Sequence, residues 1–333
     1  MDRLPAPRGP ITEALLDAFV SGDEAPSCVP PVEPSVTDDD LHLALYLCYE
    51  LHYRGLPGVD DRREWDPGLL AFRARLEQVW EAALREEVGP VGAIGPPQEM
   101  SRALIRLAAE DRPPSLSRYL ARSAGLAEFR EFVIHRSLYT LKEADPHSFA
   151  IARIEGNAKS ALMEIQADEY GGGKADRMHS AIFARTMRAL GLDDAYGAYL
   201  DLVPGVTLAT VNLVSLFGLH RRLRGAAMGH LALFELTSAI PNRRYGNGLR
   251  RLGLGPEVTD YYDEHVEADS VHDMIAAYDL VGSLVADDPS IGAEVLFGAR
   301  ALASLEERFA RHLLDAWGFG RSSLRERALS ATS

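Results

Sequence analysis

The segment YYDEHVEADSVHDM, residues 261–274, constrains most tightly what this chain can fold into. Read as a helix, it places His265, Asp269 and His272 at positions i, i+4 and i+7, within roughly 60° of one another on one stripe. Two imidazoles and a carboxylate on one helical face are typical of a divalent iron site with open coordination positions. The alternative is an exposed acidic helix with incidental histidines, because four further carboxylates make the whole segment polar.

A second unusual position is Glu235, which lies inside the apolar run HLALFELTSAI. An unpaired buried carboxylate costs several kcal/mol, so this side chain needs a proton, a cationic partner or a metal ion. A single arginine partner or an exposed rim position would also explain it.

Glu169 and His179 flank three consecutive glycines in DEYGGGKADRMH. Ten residues separate them, which leaves their side chains roughly 80° short of sharing a face on an ideal helix. Gly171, Gly172 and Gly173 accommodate local unwinding that would re-aim both side chains, and they leave open space beside a site. The alternative is a helix end, a loop and a new helix, with Glu169 merely solvated.

The composition favours an all-α fold, because Ala, Leu and Arg dominate and β-branched residues are sparse. From residue 126 onward the apolar periodicity predicts seven helical segments, which suits a compact bundle. The predicted organisation is a helical extension over 1–125, a helical domain over 126–322 and a tail over 323–333. The aromatic helix LYLCYELHY in the extension is a candidate dimer interface, although a solvated packing helix explains it equally well.

Several helix limits follow from proline and glycine. Pro146 is expected to end the first bundle helix, and one continuous helix is expected from there to the three glycines. The helix that carries Glu235 is expected to end at Ile240, just before Pro241.

Charge and cysteine content exclude several classes of protein. The chain has 35 basic and 49 acidic residues and a formal net charge of -14, which argues against binding nucleic acid or an anionic membrane. Cys28 and Cys48 are the only cysteines and form no CxxC, so neither a disulfide framework nor a zinc knuckle is expected. Without an apolar signal core or membrane-length run, the expected location is the cytoplasm.

Together the singled-out positions supply three carboxylates and three imidazoles, the ligand count of a carboxylate-bridged dinuclear iron site. A ferritin-like site would need two Glu-x-x-His pairs, and the sequence has none; its nearest pairs are Asp176-x-x-His179 and Asp269-x-x-His272. Structural zinc prefers Cys and His and needs only four ligands. The six positions are Glu169, His179, Glu235, His265, Asp269 and His272.

These motifs, in this order, resemble the haem-oxygenase-like diiron oxidases and oxygenases over roughly residues 126–320. The resemblance implies a seven-helix fold that binds two irons instead of haem. The spacings are most similar to those of the N-oxygenating members, among them the central domain of an enzyme that forms an N-nitrosourea. Those members use one further carboxylate 26 residues before the first core glutamate, which is Glu143 in this chain.

The resemblance implies two Fe(II) ions, O2 as co-substrate and an external reductant delivered by a ferredoxin, a flavin reductase or a chemical equivalent. The implied activity, in specialised metabolism, is oxidation of an amine nitrogen of a small amino-acid-like or heterocyclic amine to hydroxylamine, nitroso or nitro. A homodimer is the expected assembly. Glu169, His179 and one of His265 and His272 would cap the irons, and Glu235 and Asp269 would bridge them or bind terminally.

Other residues near these motifs have less defined roles. Asp176 is a candidate to contact a metal ligand from outside or to replace one of the metal ligands. The three glycines are candidates to give the substrate access to the metals. Asp168 and Glu164 are expected to be solvated carboxylates, which leaves the base that would neutralise the amine unassigned.

Two other functions remain open. The same scaffold cleaves C–C bonds of fatty or amino acids, and the apolar segment TLATVNLVSLFGL would then line a long channel; Glu143 is the feature that disfavours this reading. The second is a metal- or haem-binding helical protein without turnover.

Overall fold

The computed structural model describes residues 1, 3–24, 26, 35–92, 97–110 and 114–326, apart from the side chains of residues 267–271. Cys28, with most of the extended segment around it, and the last seven residues of the predicted tail lie outside the described residues. The described backbone is helical and contains no β-strand, which confirms the predicted all-α fold. In the described ranges no helix is both long enough and apolar enough to cross a lipid bilayer.

The helices fall on either side of residue 125. The first part contains α1 (Pro10–Ser21), α2 (Asp39–Glu50), α3 (Pro67–Val88), α4 (Pro97–Ala109) and α5 (Leu116–Arg122). The second part contains α6 (Leu126–Thr140), α7 (Asp145–Ile151), α8 (Gly156–Glu169), α9 (His179–Ala189), α10 (Gly205–Leu219), α11 (Arg224–Arg251), α12 (Pro256–Met274), α13 (Val281–Asp287) and α14 (Gly292–Gly318). A π-helical segment, Ile275–Leu280, joins α12 to α13.

Two of the predicted helix limits around Pro146 are wrong. Helix α6 ends at Thr140, and Pro146 lies in the first turn of α7, where the missing N–H of proline removes no helical hydrogen bond. The expected continuous helix up to the three glycines is in fact α7 and α8. The break spans residues 152–155, and Gly156, the first residue of α8, has a φ of +59°, which belongs to the left-handed region.

The expected helix end before Pro241 is also wrong, because α11 continues to Arg251. Proline inside a helix costs about 3 kcal/mol, so tertiary contacts must hold the second half in place. Leu249 is fully buried, and the Arg251 Nε–H donates to the carbonyl of Ala121 at 3.0 Å. These contacts fasten the end of α11 to α5.

The extension shares a core with the rest of the chain. One cluster of buried apolar side chains includes Leu15 from α1, Tyr46 from α2, Leu208 from α10 and Leu302 from α14. Every residue of α2 from Asp40 to Glu50 is buried. The part of the aromatic stretch that belongs to α2 is therefore an internal element and not a solvated packing helix. Dimerisation through the extension stays a prediction.

Helices α11 and α14 pack with their backbones in contact. A Cβ atom added at Gly229 would lie 1.9 Å from the carbonyl oxygen of Val295, so only glycine allows this approach. Gly298 makes the reciprocal contact with the carbonyl of Ala226. This close packing fixes α11, the helix that carries Glu235.

The start of the predicted tail packs on the bundle. Ser323 is buried, and its backbone N–H and hydroxyl both donate to the Glu131 carboxylate, at 2.8 and 2.6 Å. The backbone N–H of Arg325 donates to the carbonyl of Leu202 at 2.7 Å.

Candidate metal centre

Buried carboxylates and imidazoles from separate helices converge inside the bundle and form two groups. Within each group, one ligand atom per residue lies within 4.8 Å of all the others. The first group consists of Glu143, Glu169, His179 and His265. The second group consists of Glu169, Glu235 and His272. All six side chains are buried, and all six were singled out from the sequence.

Glu169 belongs to both groups, so its carboxylate lies between two possible metal positions. The expected role of Glu169 was a cap on one iron, with Glu235 as a possible bridge. The geometry instead gives the shared position to Glu169 and places Glu235 in the second group alone. His265 and His272 are also divided, one to each group.

The ring of His265 is oriented by its own helix. Its Nδ1–H donates to the carbonyl of Tyr261, one turn earlier, at 2.8 Å, so Nε2 carries the lone pair that faces the first group. That Nε2 atom lies 3.8 Å from Oε2 of Glu143. The Tyr261 hydroxyl in turn donates to the Glu143 carboxylate, at 3.0 Å to Oε2. Tyr261 therefore orients two residues of the first group, as outer partners of metal ligands do.

The ring of His272 is oriented from α8. Its Nε2–H donates to Oδ2 of Asp168 at 2.9 Å. The lone pair is therefore on Nδ1, which lies 3.7 Å from Oε2 of Glu235. A carboxylate behind a metal-binding imidazole fixes the tautomer and raises the basicity of the ligand nitrogen.

Several atoms that face the centre have no hydrogen-bond partner although they are buried. Oε2 of Glu169 and Nδ1 of His179 lie 3.0 Å apart, but their relative orientation is not that of a hydrogen bond. Nε2 of His265 and Nδ1 of His272 are likewise unpaired. Buried polar atoms without partners are costly, and divalent cations in the two groups would satisfy all four. Carboxylate and imidazole donors suit iron, so these residues fit an iron centre.

The charges inside the first group are strongly coupled. Burial alone would lower the pKa of His179, but the adjacent Glu169 carboxylate outweighs it and raises that pKa to about 9. Burial opposes ionisation of Glu169, yet the neighbouring His179 holds the pKa of this carboxyl below its usual value. Burial, and then the charge of His179, lowers the pKa of His265 to about 4. In the metal-free protein a proton on His179 balances Glu169, and a metal ion has to displace it.

The three-glycine loop brings Glu169 and His179 together, as the sequence predicts. Helix α8 ends at Glu169, and all three glycines have positive φ values, with +66° at Gly171. A Cβ atom on Gly171 would lie 2.6 Å from the backbone nitrogen of Met178. This close approach turns the chain back on itself and lets α9 begin with His179 beside Glu169.

Not every predicted site residue reaches the centre. Asp176 is exposed and belongs to neither group, although its backbone carbonyl accepts a hydrogen bond from Arg185. Asp269 lies on α12, but its side chain is outside the described residues, so its role as a ligand stays a prediction. Asp168 is 61% exposed, as expected of a solvated carboxylate, but it also bonds to His272, which the sequence did not predict. Its one sequence signal is its position next to Glu169.

Two small pockets flank Glu143 and Glu169, and both residues line both pockets. The inner pocket also contacts Tyr139, His147 and Phe234. The outer pocket is more polar, and its other lining residues include Arg54, Asp145 and Tyr170. Helix α10, the apolar segment considered for a fatty-acid channel, is buried from Gly205 to Gly218 in the core.

Comparison with known proteins adds three similarities. A family described as iron-containing redox enzymes matches residues 130–307, which is more than half of the 333-residue chain. A nitrosourea synthase from Streptomyces achromogenes subsp. streptozoticus is 30% identical over 146 residues. That match covers 44% of this chain and 31% of the relative, so the chain spans less than a third of the relative's length.

The third similarity is to a crystal structure of a CADD-like protein of unknown function from Nostoc punctiforme PCC 73102. The TM-score is 0.51, with 16% sequence identity, and the alignment covers 66% of this chain and 97% of that protein. At this identity the similarity concerns the fold alone, and it agrees with a helical bundle.

Proposed function

Because the chain belongs to the haem-oxygenase-like family of iron-containing redox enzymes, we propose that it is a non-haem diiron oxygenase that uses O2 to oxidise an amine nitrogen. The observation that carries this proposal is the shared position of Glu169 between two groups of buried ligand atoms. A single metal site would need only one such group. A carboxylate common to two groups is the arrangement of dinuclear carboxylate centres in helical bundles.

Nitrogen as the atom oxidised is supported by three further points. Glu143 lies in the first group with Glu169, His179 and His265, which matches the extra carboxylate that the resemblance to N-oxygenating enzymes implies. The matched relative is a nitrosourea synthase, and a nitrosourea contains an oxidised nitrogen. The small, polar outer pocket suits a small polar amine better than a fatty acid.

In this proposal the first iron is held by Glu143, Glu169, His179 and His265, and the second by Glu169, Glu235 and His272. Asp269 is the additional ligand that the sequence predicts. Ferrous iron bound there would supply electrons and activate O2. The protein residues hold the ligands rigidly: Tyr261 orients Glu143 and His265, and Asp168 orients His272. Burial of the ligands keeps bulk water away from the reaction.

The oxidation requires an external reductant. Conversion of an N–H group to N–OH inserts one oxygen atom of O2, and the second atom leaves as water after taking up two electrons and two protons. A ferredoxin or a flavin reductase would deliver the electrons. Formation of a nitroso or nitro group would require further rounds of oxidation at the same nitrogen.

The test is aerobic turnover with ferrous iron, a reductant and a panel of amines, comprising L-lysine, L-arginine and an aminoimidazole, under 18O2. We expect one product whose mass increases by an oxygen atom that carries the label. Two irons per chain without label in any amine would overturn the proposal. Products that have lost carbon atoms would indicate C–C cleavage instead, and a Soret band in the purified protein would indicate haem binding.

The two groups can be separated by mutation. His272→Ala and His265→Ala should each lower the iron content from two per chain to one, and Glu169→Ala should disturb both sites. Glu164→Ala is the matched control, because Glu164 is an exposed carboxylate on the same helix as Glu169. Unchanged iron content in all three variants would show that the ligand set is wrong.

A further inference from the structure

The outer pocket joins the candidate metal centre to a charged rim. Its inner wall contains Glu143 and Glu169, and its outer wall contains Arg54 and Asp145. Arg54 follows α2 in the N-terminal extension, outside the range 130–307 that matches the family. The extension thus supplies part of the wall beside the metal ligands.

Arg54 is held in place while remaining accessible. Its Nη2–H donates to the carbonyl of Leu141 at 2.9 Å, and its guanidinium carbon lies 4.1 Å from the centre of the Tyr196 ring. The Tyr196 hydroxyl donates to the buried Glu50 carboxylate at 2.7 Å, which fixes the ring. The Arg54 side chain is nevertheless 49% exposed. A stacked guanidinium with an open edge is preorganised to bind a carboxylate.

Asp145 offers the opposite charge on the same rim. The Tyr170 hydroxyl donates to its Oδ1 at 2.8 Å, and its Oδ2 lies 4.0 Å from Nη2 of Arg54. At that distance the two side chains form an ion pair without a hydrogen bond, and both line the pocket. The Asp145 side chain is 33% exposed.

We propose that the outer pocket binds a zwitterionic α-amino acid, with its carboxylate on Arg54 and its α-ammonium on Asp145. The side chain of the amino acid then extends toward Glu143 and Glu169 and presents its terminal nitrogen to the metal centre. This inference rests on the proposed N-oxygenase function. A simple monoamine would offer no carboxylate to the open edge of Arg54, and a fatty acid would place apolar carbon against Asp145.

The experiment measures binding by calorimetry to the ferrous-loaded protein without O2, so that no turnover occurs. L-lysine carries both α groups, cadaverine lacks the carboxylate, and 6-aminohexanoate lacks the α-ammonium. L-ornithine and L-arginine extend the panel to other side-chain lengths. We expect at least one amino acid to bind more tightly than its analogue that lacks either α group.

Two variants separate the roles. Arg54→Gln should weaken binding of the amino acid and of 6-aminohexanoate by about tenfold or more and leave cadaverine unchanged. Asp145→Asn should weaken the amino acid and cadaverine and leave 6-aminohexanoate unchanged. Arg54→Lys, which keeps the charge, should recover part of the loss. The controls are Arg62→Gln and Asp60→Asn, because Arg62 and Asp60 form an exposed pair in the same extension.

Equal weakening of every probe by Arg54→Gln, no effect of either variant, or no binding of any amino acid to the unmodified protein would overturn this assignment. Its failure can be distinguished from failure of the proposed function. Oxygen-18 incorporation into an amine that binds independently of Arg54 and Asp145 would preserve the N-oxygenase and exclude this pocket as its amino-acid site.

Discussion

The imidazole of His272 donates its Nε2–H to the carboxylate of Asp168 at 2.9 Å. Asp168 directly precedes Glu169 in the sequence. Helix α8 therefore supplies both the carboxylate shared by the two groups and the residue that orients a ligand from α12. We expect Asp168→Ala to weaken metal binding at the second group by roughly 10- to 100-fold, as is usual for loss of such a partner. The first group should retain its affinity.

Anaerobic titration with ferrous iron, followed by calorimetry, measures the two affinities in the Asp168→Ala variant. Glu164→Ala is the control, since it removes an exposed carboxylate one turn earlier on α8. Equal affinities in the variant, the control and the unmodified protein would mean that Asp168 is only a surface partner of His272.

The loop glycines provide a second, internally matched prediction. Gly171→Ala should lower metal affinity at the first group, because its Cβ atom would displace the backbone just before His179. A Cβ on Gly172 would meet no atom within 4 Å, so Gly172→Ala should cost only the strain of its positive φ, about 1–2 kcal/mol of unfolding free energy. Iron content and urea unfolding of both variants check this. Similar losses of iron in both variants would contradict the role given to Gly171.

Of the six residues in the two groups, five were predictable from local sequence signals, and Glu143 followed only from the family resemblance. Glu235 interrupts an apolar run, and His265 and His272 place imidazoles on a helical face that should be buried. The glycine run signalled the turn that joins Glu169 to His179. These signals are local in sequence, so they survive without knowledge of how the helices pack.

The residues that were missed depend on tertiary packing. Asp168 looked solvated because one face of α8 is solvated, and only the position of α12 brings His272 against it. Arg54 carries no sequence signal, since it reaches the outer pocket through the packing of α2. The helix end predicted before Pro241 was wrong for the same reason. The free-energy cost of a proline inside a helix is overcome by tertiary contacts between the end of α11 and α5.

A buried ion pair links the extension to the residue before Glu143. Lys142 pairs with Glu50, and both side chains are almost fully buried. Burial lowers the pKa of Lys142, so the ammonium depends on Glu50 for its charge. Glu50→Gln should lower the unfolding free energy by about 3–5 kcal/mol, the usual cost of leaving a buried charge unpaired. It should also weaken metal binding at the first group, which contains the adjacent Glu143.

A double-mutant cycle in urea tests the pair of Glu50 and Lys142. Replacing both residues, as Glu50→Gln with Lys142→Met, should recover much of the stability lost in Glu50→Gln alone, because no unpaired charge remains. Additive losses in the double variant would show that the two side chains contribute independently.

A histidine remote from the centre predicts acid sensitivity of the fold. His42 is fully buried; its Nε2–H donates to the carbonyl of Val36 at 2.9 Å, and its Nδ1 accepts from the Asn212 amide at 3.2 Å. Burial lowers the pKa of His42 from 6.5 to about 3. Protonation would also turn Nδ1 into a donor that faces another donor. The unfolded chain therefore binds this proton more readily than the folded protein does.

Since the folded pKa of His42 lies below the unfolded value, its contribution to stability is complete above pH 6.5 and is lost as pH falls toward 3. At pH 5 the loss is roughly 2 kcal/mol, from a pKa difference of 1.5 between the unfolded value and that pH. His42→Gln keeps a donor and an acceptor but does not titrate, so its unfolding free energy should fall less between pH 7 and pH 5. Urea unfolding of the metal-free protein at both pH values measures the difference. Identical losses in His42→Gln and the unmodified chain would assign the acid sensitivity to other groups.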